Sequence, residues 1–239
     1  MTRRIAMWSG PRNLSTAMMY SFAARGDCAV SDEPFYAAYL TLTGLNHPMR
    51  EEILASQPTD PNVVGASLAE DRSEAIWYQK HMTHHMIDGV PRDWMHEVSH
   101  VFLIRHPARV IASYARKRER PTLEDLGFPQ QKSLFQEVVG EGALVVDSSD
   151  IRSSPNEMLE TMCNELHIPF TERMLRWSTG GHKEDGVWAA HWYDAVHRST
   201  GFDGAEGSVP DLPHEYAALL EAALPIYEEF RERRLKPGS

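Results

Sequence analysis

Short apolar segments alternate along the chain with longer stretches in which apolar residues recur every three or four positions. The apolar segments predict buried strands at residues 4–8, 28–31, 75–80, 101–104 and 143–146. The periodic stretches predict helices at 14–25, at 35–57 with a break at 46–48, at 107–118, at 154–166 and from 210 onward. Strands separated by helices imply βαβ units. The pattern therefore predicts an α/β fold with three layers, α/β/α, around a central, mostly parallel sheet.

The C-terminal region is expected to be helical, and Pro225 predicts a kink in its last helix. The apolar positions that would face the core are Tyr216, Leu219, Leu220, Ala223, Tyr227 and Phe230. With 239 residues, the whole chain is expected to form a single domain.

Composition restricts the partners. With 24 basic and 34 acidic residues the formal charge is −10, which disfavours non-specific binding to nucleic acid. The two cysteines, Cys28 and Cys163, have no metal-binding spacing, so a reducing, cytoplasmic setting is expected. No signal-peptide core or apolar run of about 20 residues occurs, so we expect no membrane partner.

The first candidate site lies between the first strand and the first helix, in the segment Ser-Gly-Pro-Arg-Asn-Leu-Ser-Thr at 9–16. A helix start presents free N–H groups and a positive dipole end, both of which favour a phosphate. Arg12 adds a cation, and Ser15 and Thr16 add hydroxyl donors. The second Gly and the Lys of a Walker A loop are missing, and an ordinary capped turn explains this segment equally well.

The second candidate site follows the most apolar strand. Arg105 lies at the exit of that strand, where a cation needs a partner, and Ser113 follows eight residues later on a helix. The pair either converges on a phosphate or serves a structural role. A third polar segment, at 31–35, also follows a strand. Because ligands bind at the carboxyl ends of parallel strands, these three segments predict one active site.

The combination of Pro-Arg-x-x-Ser-Thr after the first strand with Arg-x-Pro and a later Ser resembles the sulfotransferase superfamily. The segment 145–170 also resembles that family, so the likeness covers about residues 3–175, with 176–239 as the C-terminal helical region. The resemblance implies a P-loop NTPase-like architecture and 3′-phosphoadenosine 5′-phosphosulfate (PAPS) as co-substrate. It assigns Arg12, Asn13, Ser15 and Thr16 to the 5′-phosphosulfate and, at the other end, Arg105 and Ser113 to the 3′-phosphate.

The chain departs from the family pattern in three places. Leu14 stands where the family usually has Gly, and Arg12 replaces the Lys of cytosolic members. The family's late Arg-Lys-Gly loop is not recognisable in this sequence. The Gly-Gly-His-Lys segment at 180–183 is the candidate to replace it, with Lys183 contacting phosphate.

The resemblance implies in-line transfer of a sulfuryl group to a hydroxyl or amine of a small-molecule acceptor, without a metal. Arg12 would stabilise charge on the leaving oxygen. The acceptor needs a base, and two candidates are present. Glu33 follows the second strand, where similar bacterial enzymes use a Glu. His81 follows Lys80 directly, whereas cytosolic members have Lys-x-His.

Several alternatives stay open. His81, His84 and His85 lie close in sequence, but the HExxH pattern is missing, so we expect no metal site. Trp188, Trp192 and Tyr193 line an acceptor pocket or belong to a packed core helix. A nucleotide-dependent kinase, with Asp147 as its acid, and a non-catalytic anion-binding protein are the competing functions. The sequence leaves the acceptor and the oligomeric state open.

Overall fold

The computed structural model describes residues 2–116, 120–138, 140 and 142–238. Its sheet has the strand order β2-β3-β1-β4-β5, and every pairing between neighbours is parallel. The strands are β1 (Arg3–Ser9), β2 (Cys28–Asp32), β3 (Ile76–Met82), β4 (Ser99–Ile104) and β5 (Leu144–Asp147). The predicted strands are therefore all present, and the predicted α/β class is confirmed.

Helices connect the strands and cover the sheet. The α-helices are α1 (Ser15–Ala23), α2 (Tyr36–Thr43), α3 (Arg50–Ser56), α4 (Pro61–Leu68), α5 (Pro107–Tyr114), α6 (Phe128–Val138), α7 (Ser148–Ser153), α8 (Pro155–Glu165), α9 (Ala189–Trp192), α10 (Asp194–His197) and α11 (Ala217–Glu232). Short 3₁₀-helices lie at Thr83–His85, Asp93–Glu97, Glu172–Leu175 and His214–Tyr216.

Two hydrophobic cores lie on opposite faces of the sheet, as the three-layer prediction requires. On one face, Met18 and Phe22 of α1 pack with Met162 of α8 against strand residues. On the other face, residues of α4, α6 and α11 form a second core around Trp8 and Phe102. These buried apolar side chains provide the main stabilisation of the sheet.

Some helix boundaries differ from the expectations. The helix after β4 ends at Tyr114, and the expected end at Arg118 lies outside the described residues. The helices α4 and α6 were not predicted, although Asp60 caps the first turn of α4 and Pro61 opens it. The C-terminal region is helical only in part, because 177–213 contains two helices of four residues each.

The helix α11 agrees better with its predicted pattern. Ala223, Tyr227 and Phe230 are buried, and Pro225 lies inside the helix. Among the described residues, no helix combines the length and apolar character that a membrane crossing needs.

The order of the strands places the candidate residues together. The strand β1 is central, with β3 on one side and β4 on the other. Its carboxyl end at Ser9 therefore lies beside the ends of β3 at Met82 and of β4 at Ile104. This edge of the sheet is where the polar segments converge.

Candidate active site

The loop after β1 has an unusual backbone. Arg12 and Leu14 both adopt the left-handed conformation, with φ values of 66° and 76°. A non-glycine residue in this region costs about 1 kcal/mol or more. Leu14 thus takes the conformation that the family's Gly favours. The close approach in this loop is at Gly10, where a Cβ would lie 2.2 Å from the carbonyl oxygen of Leu126.

Beyond this loop lies a cavity of about 320 Å³, which we call the arginine cavity. Four arginines line it: Arg12, Arg105, Arg116 and Arg152. The predicted phosphate-binding residues Asn13, Ser15, Thr16 and Ser113 line it as well. The structure therefore brings together two segments that lie far apart along the chain, as the sequence predicted. Sequence analysis missed Arg116 and Arg152, which no local motif distinguished.

Contacts within the arginine cavity orient its cations. The Nε of Arg12 donates a hydrogen bond to Oγ of Ser113 at 2.9 Å, and Nη1 of Arg105 donates to the carbonyl oxygen of Arg12 at 2.6 Å. Burial, together with the charges of Arg116 and Arg105, lowers the pKa of Arg12. A buried cation beside other cations is stabilised when an anion lies next to it.

Asn13 contributes differently from its neighbours. Its side chain is buried, and Nδ2 donates to the carbonyl oxygen of Leu103 at 3.3 Å. This contact attaches the loop to β4, so the side chain helps to hold the loop in place.

An acidic residue contacts two arginines of the arginine cavity, and sequence analysis did not identify it. Glu206 Oε1 lies 2.5 Å from Nη2 of Arg105, and Oε2 lies 3.1 Å from Nε of Arg109. A third arginine, Arg152, is 3.6 Å from Oε1. The Glu206 side chain is only 4% exposed. A carboxylate thus contacts the arginine that the resemblance assigned to a phosphate.

A second cavity of about 310 Å³ adjoins the first and shares Arg12, Ser15, Trp192 and Tyr193 with it. We call it the aromatic cavity. Its other lining residues are Pro11, Glu33, Tyr36, Asn46, His47, Pro48, Met82, His84 and Tyr114. The two cavities meet at the loop after β1, so a molecule in one can contact a molecule in the other at Arg12.

Glu33 belongs to a buried charge cluster at the base of the aromatic cavity. Its Oε1 lies 2.5 Å from Nζ of Lys80, which is also 2.7 Å from Oδ1 of Asp32. Burial raises the pKa of Glu33 although Lys80 opposes this shift. Burial by itself would lower the pKa of Lys80, but the two carboxylates outweigh it and raise that pKa. The ammonium of Lys80 therefore forms ion pairs with two carboxylates.

The hydroxyl of Tyr193 completes this cluster. It donates to the Asp32 carboxylate at 2.8 Å and accepts from Nζ of Lys80 at 2.7 Å. It also lies 3.3 Å from Oε1 of Glu33 and accepts from Nε1 of Trp188 at 3.0 Å. Sequence analysis named Tyr193 only as a cavity wall and missed Lys80 and Asp32. The signal available was a Lys inside a buried strand.

His81, the other candidate base, lies on the opposite face of the sheet from Lys80. Its ring stacks on Trp8 with centroids 4.6 Å apart and on Trp94 at 5.1 Å. Burial, together with the charges of His100 and Lys80, lowers the pKa of His81 to about 3. Successive strand residues face opposite ways, so a residue directly after Lys80 cannot share its face. This position argues against His81 as the base.

Lys183, the remaining candidate phosphate ligand, lies away from the two cavities. The Lys183 side chain is 83% exposed, lies 3.6 Å from Glu184, and lines a separate cavity with Ser31 and Pro34. The structure therefore does not bring it to the arginine cavity.

In the part of the chain that the structure describes, no three His, Cys, Asp or Glu side chains are placed to hold a metal ion.

Asp147, the acid expected if the protein were a kinase, makes structural contacts. The carboxylate of Asp147 accepts hydrogen bonds from the backbone of Ser149 and from the hydroxyl of Tyr227, each at 2.8 Å. Asp147 thus caps α7 and anchors α11.

Trp188 and Tyr193 are buried in a core cluster, and Tyr193 also lines the aromatic cavity together with Trp192. The core interpretation is therefore correct for Trp188, and the acceptor pocket stays a prediction.

Comparison with known proteins agrees with this architecture. The family model described as a sulfotransferase domain matches residues 3–234. The chain therefore belongs to the sulfotransferase domain family.

Two curated relatives come from Arabidopsis thaliana and are named branched-chain-amino-acid aminotransferase-like proteins 1 and 2. They are 36% and 35% identical to this chain over 230 residues, which is 95% of its length. The chain spans 41% of the length of these relatives, so their names describe much longer proteins.

Solved structures show the same fold. The sulfotransferase domain from the olefin synthase of Synechococcus PCC 7002 superposes with a TM-score of 0.52 at 18% identity, covering 96% of this chain and 95% of that one. The sulfotransferase domain from the curacin biosynthetic pathway gives 0.52 at 14% identity, covering 98% and 92%. At this level of identity the likeness concerns the fold.

Proposed function

We propose that this protein transfers a sulfuryl group from PAPS to a hydroxyl or amine of a small-molecule acceptor, in line and without a metal. The observation that carries this proposal is the junction of the two cavities. Arg12 and Ser15 lie on both, and Glu33 faces the aromatic cavity. A donor in one cavity and an acceptor in the other would meet beside a cation and a carboxylate.

The lining of the arginine cavity suits the two phosphate-bearing ends of PAPS. When bound, PAPS supplies the activated sulfuryl group. Arg12, Ser15 and Thr16 would hold its 5′ end at the start of α1, where free N–H groups favour an anion. Arg105 and Ser113 would hold the 3′-phosphate, with Arg116 and Arg152 adding positive charge.

Arg12 has the position to stabilise charge at the reacting end. Its guanidinium is oriented before any ligand binds, because Nε is hydrogen bonded to Ser113. Preorganised donors do not have to reorient as charge develops, and this lowers the barrier. The lowered pKa of Arg12 reflects burial first and the neighbouring arginines second. An anion beside Arg12 would offset both.

Glu33 is the proposed base, since it is the carboxylate that lines the aromatic cavity. Burial raises its pKa towards the range in which a carboxylate accepts a proton effectively. Lys80 and Tyr193 contact the same oxygen and so hold the carboxylate in place. Most of the cavity wall is aromatic or apolar, which suits a small organic acceptor.

A thermal-shift comparison tests the donor. We expect 3′-phosphoadenosine 5′-phosphate (PAP) at 100 times its dissociation constant to stabilise the protein by about 2.7 kcal/mol. For a chain of this size, that corresponds to a rise of roughly 5–10 °C in melting temperature. ATP with Mg²⁺ should give a clearly smaller shift. A larger shift with ATP would indicate the kinase, and no shift with either would indicate a non-catalytic protein.

A further inference from the structure

A short segment borders the arginine cavity at Asp203, and we call residues 203–207 the strap. Three arginines hold it, from the loop after β4, from α5 and from α7. Nη2 of Arg105 contacts the Glu206 carboxylate at 2.5 Å, and Nη1 of Arg109 donates to the carbonyl oxygen of Glu206 at 3.1 Å. Nε of Arg152 donates to the carbonyl oxygen of Gly204, also at 3.1 Å. The strap is thus attached to the protein by the same kind of group that binds a phosphate.

Glu206 contacts the arginine to which the proposed function assigns a phosphate. Its carboxylate contacts Arg105, and its side chain is 4% exposed although it lies in a surface segment. Carboxylates and phosphates use the same charged hydrogen bonds from a guanidinium. The Arg105 side chain is 19% exposed, so its free edge is small. A phosphate and Glu206 therefore compete for the same donors.

The strap can move away from the protein at a small cost in free energy. It has no helix or strand hydrogen bonds, and Gly204 and Gly207 flank Glu206 on either side. A Cβ built at either glycine would meet no atom within 4 Å, so open space lies beside both of them. Releasing the strap would mainly break contacts to arginines, and a bound phosphate would restore those contacts.

We propose that the strap is an autoinhibitory contact: Glu206 neutralises the phosphate-binding arginines in the free protein, and the donor must displace it. This inference rests on the proposed assignment of Arg105 to a phosphate. A phosphate with about two negative charges competes well with a carboxylate that has one. The strap therefore weakens donor binding and keeps Arg105 and Arg152 paired with a carboxylate until the donor binds.

Calorimetry with PAP tests the competition. Glu206→Gln keeps the size of the side chain but removes its charge. We expect this variant to bind PAP at least about tenfold more tightly than the wild type. Asp211→Asn is the matched control, because it makes the same charge change at an exposed position of the same chain segment. It should leave PAP affinity within about twofold. Unchanged or weaker binding by a folded Glu206→Gln variant would overturn the proposal.

A second experiment uses the wild-type protein and does not depend on the variant's folding. A glutamyl endopeptidase cleaves after Glu206 only when that side chain is accessible. We expect PAP to accelerate cleavage at this site, with the exposed Glu215 as an internal reference. Slower or unchanged cleavage after Glu206 on PAP binding would contradict displacement of the strap.

Inorganic pyrophosphate separates failure of the strap from failure of the proposed donor. If PAP binds neither wild type nor Glu206→Gln, the donor assignment is wrong. Pyrophosphate should still bind the variant about tenfold more tightly than the wild type, and should still expose Glu206 to the protease. Equal affinity of pyrophosphate for both proteins would show that Glu206 does not compete with phosphate groups.

Discussion

Lys80 and Glu33 form a buried ion pair in which Nζ lies 2.5 Å from Oε1, at the base of the aromatic cavity. The Lys80 side chain is 1% exposed and that of Glu33 is 9% exposed. The ammonium of Lys80 also contacts Asp32, so its charge is shared between two carboxylates. Glu33 is therefore incompletely neutralised, which suits a group that must accept a proton.

We expect Glu33→Gln to lower kcat by about 10²–10⁴-fold, because that is the usual loss when a general base is removed. PAP affinity should stay nearly unchanged, since Glu33 does not line the arginine cavity. Steady-state kinetics with a screened acceptor, together with calorimetry, measure both quantities. His81→Asn is the comparison variant and should lower kcat less than tenfold. If His81→Asn were the more damaging at equal PAP affinity, the base would be wrongly assigned.

Tyr193→Phe should alter the pH dependence of the reaction. The Tyr193 hydroxyl bonds to the Glu33 carboxylate and lowers the pKa of Glu33, against the larger effect of burial. Its loss should raise that pKa further, so the acidic limb of kcat/KM should move to higher pH. At pH values below this limb, kcat/KM of the variant should be several-fold lower than that of the wild type. The Tyr36 hydroxyl lies in the same cavity but is hydrogen bonded to His47. Tyr36→Phe is therefore the control, and it should leave the acidic limb of kcat/KM at the wild-type pH.

Arg105→Ala should weaken PAP binding more than Ser113→Ala does. A charged hydrogen bond contributes about 1.5–3 kcal/mol and a neutral one about 1 kcal/mol. These values correspond to losses of roughly 10–150-fold and about fivefold in affinity, measured by calorimetry. Equal or reversed losses would mean that Arg105 serves only to hold the loop through the Arg12 carbonyl oxygen.

Activity with PAPS should persist in EDTA. The proposed chemistry assigns the developing charge to Arg12 and to the N–H groups at the start of α1. We therefore expect the initial rate with and without chelator to agree within error. Loss of activity in EDTA, restored by Mg²⁺ or Zn²⁺, would reject this mechanism.

His81 should contribute to acid sensitivity. Its pKa is about 3 in the folded protein, because of burial first, against an ordinary value of 6.5. Between these pH values the unfolded chain binds a proton that the folded chain does not bind. Stability is therefore lost as pH falls from 6.5 towards 3, by up to about 1.4 kcal/mol per pH unit.

Denaturant titrations at several pH values measure this slope. His81→Asn removes the titrating ring, so its free energy of unfolding should depend less steeply on pH in that window. His214→Asn, at an exposed position, is the control and should keep the wild-type slope. An unchanged slope in His81→Asn would contradict the buried, neutral state of this ring.

The sequence by itself determined the strands, several of the helices and the position of the two segments that we propose to bind phosphate. These features depend on local patterns: runs of apolar residues, helical periodicity and polar residues directly after strands. Parallel strands place their carboxyl ends at one edge, so Arg12 and Arg105 could be expected to meet before their geometry was known. The arginine cavity confirms that they do.

Only the tertiary structure decided which side chains share a cavity. Strand alternation makes Lys80 and His81 face opposite ways, but the face that meets Glu33 depends on the helices that cover each side of the sheet. Glu206 reaches Arg105 across 101 residues of chain, and Tyr193 reaches Asp32 across 161. Contacts over such separations leave no local pattern, because they arise from long-range packing that brings distant segments together.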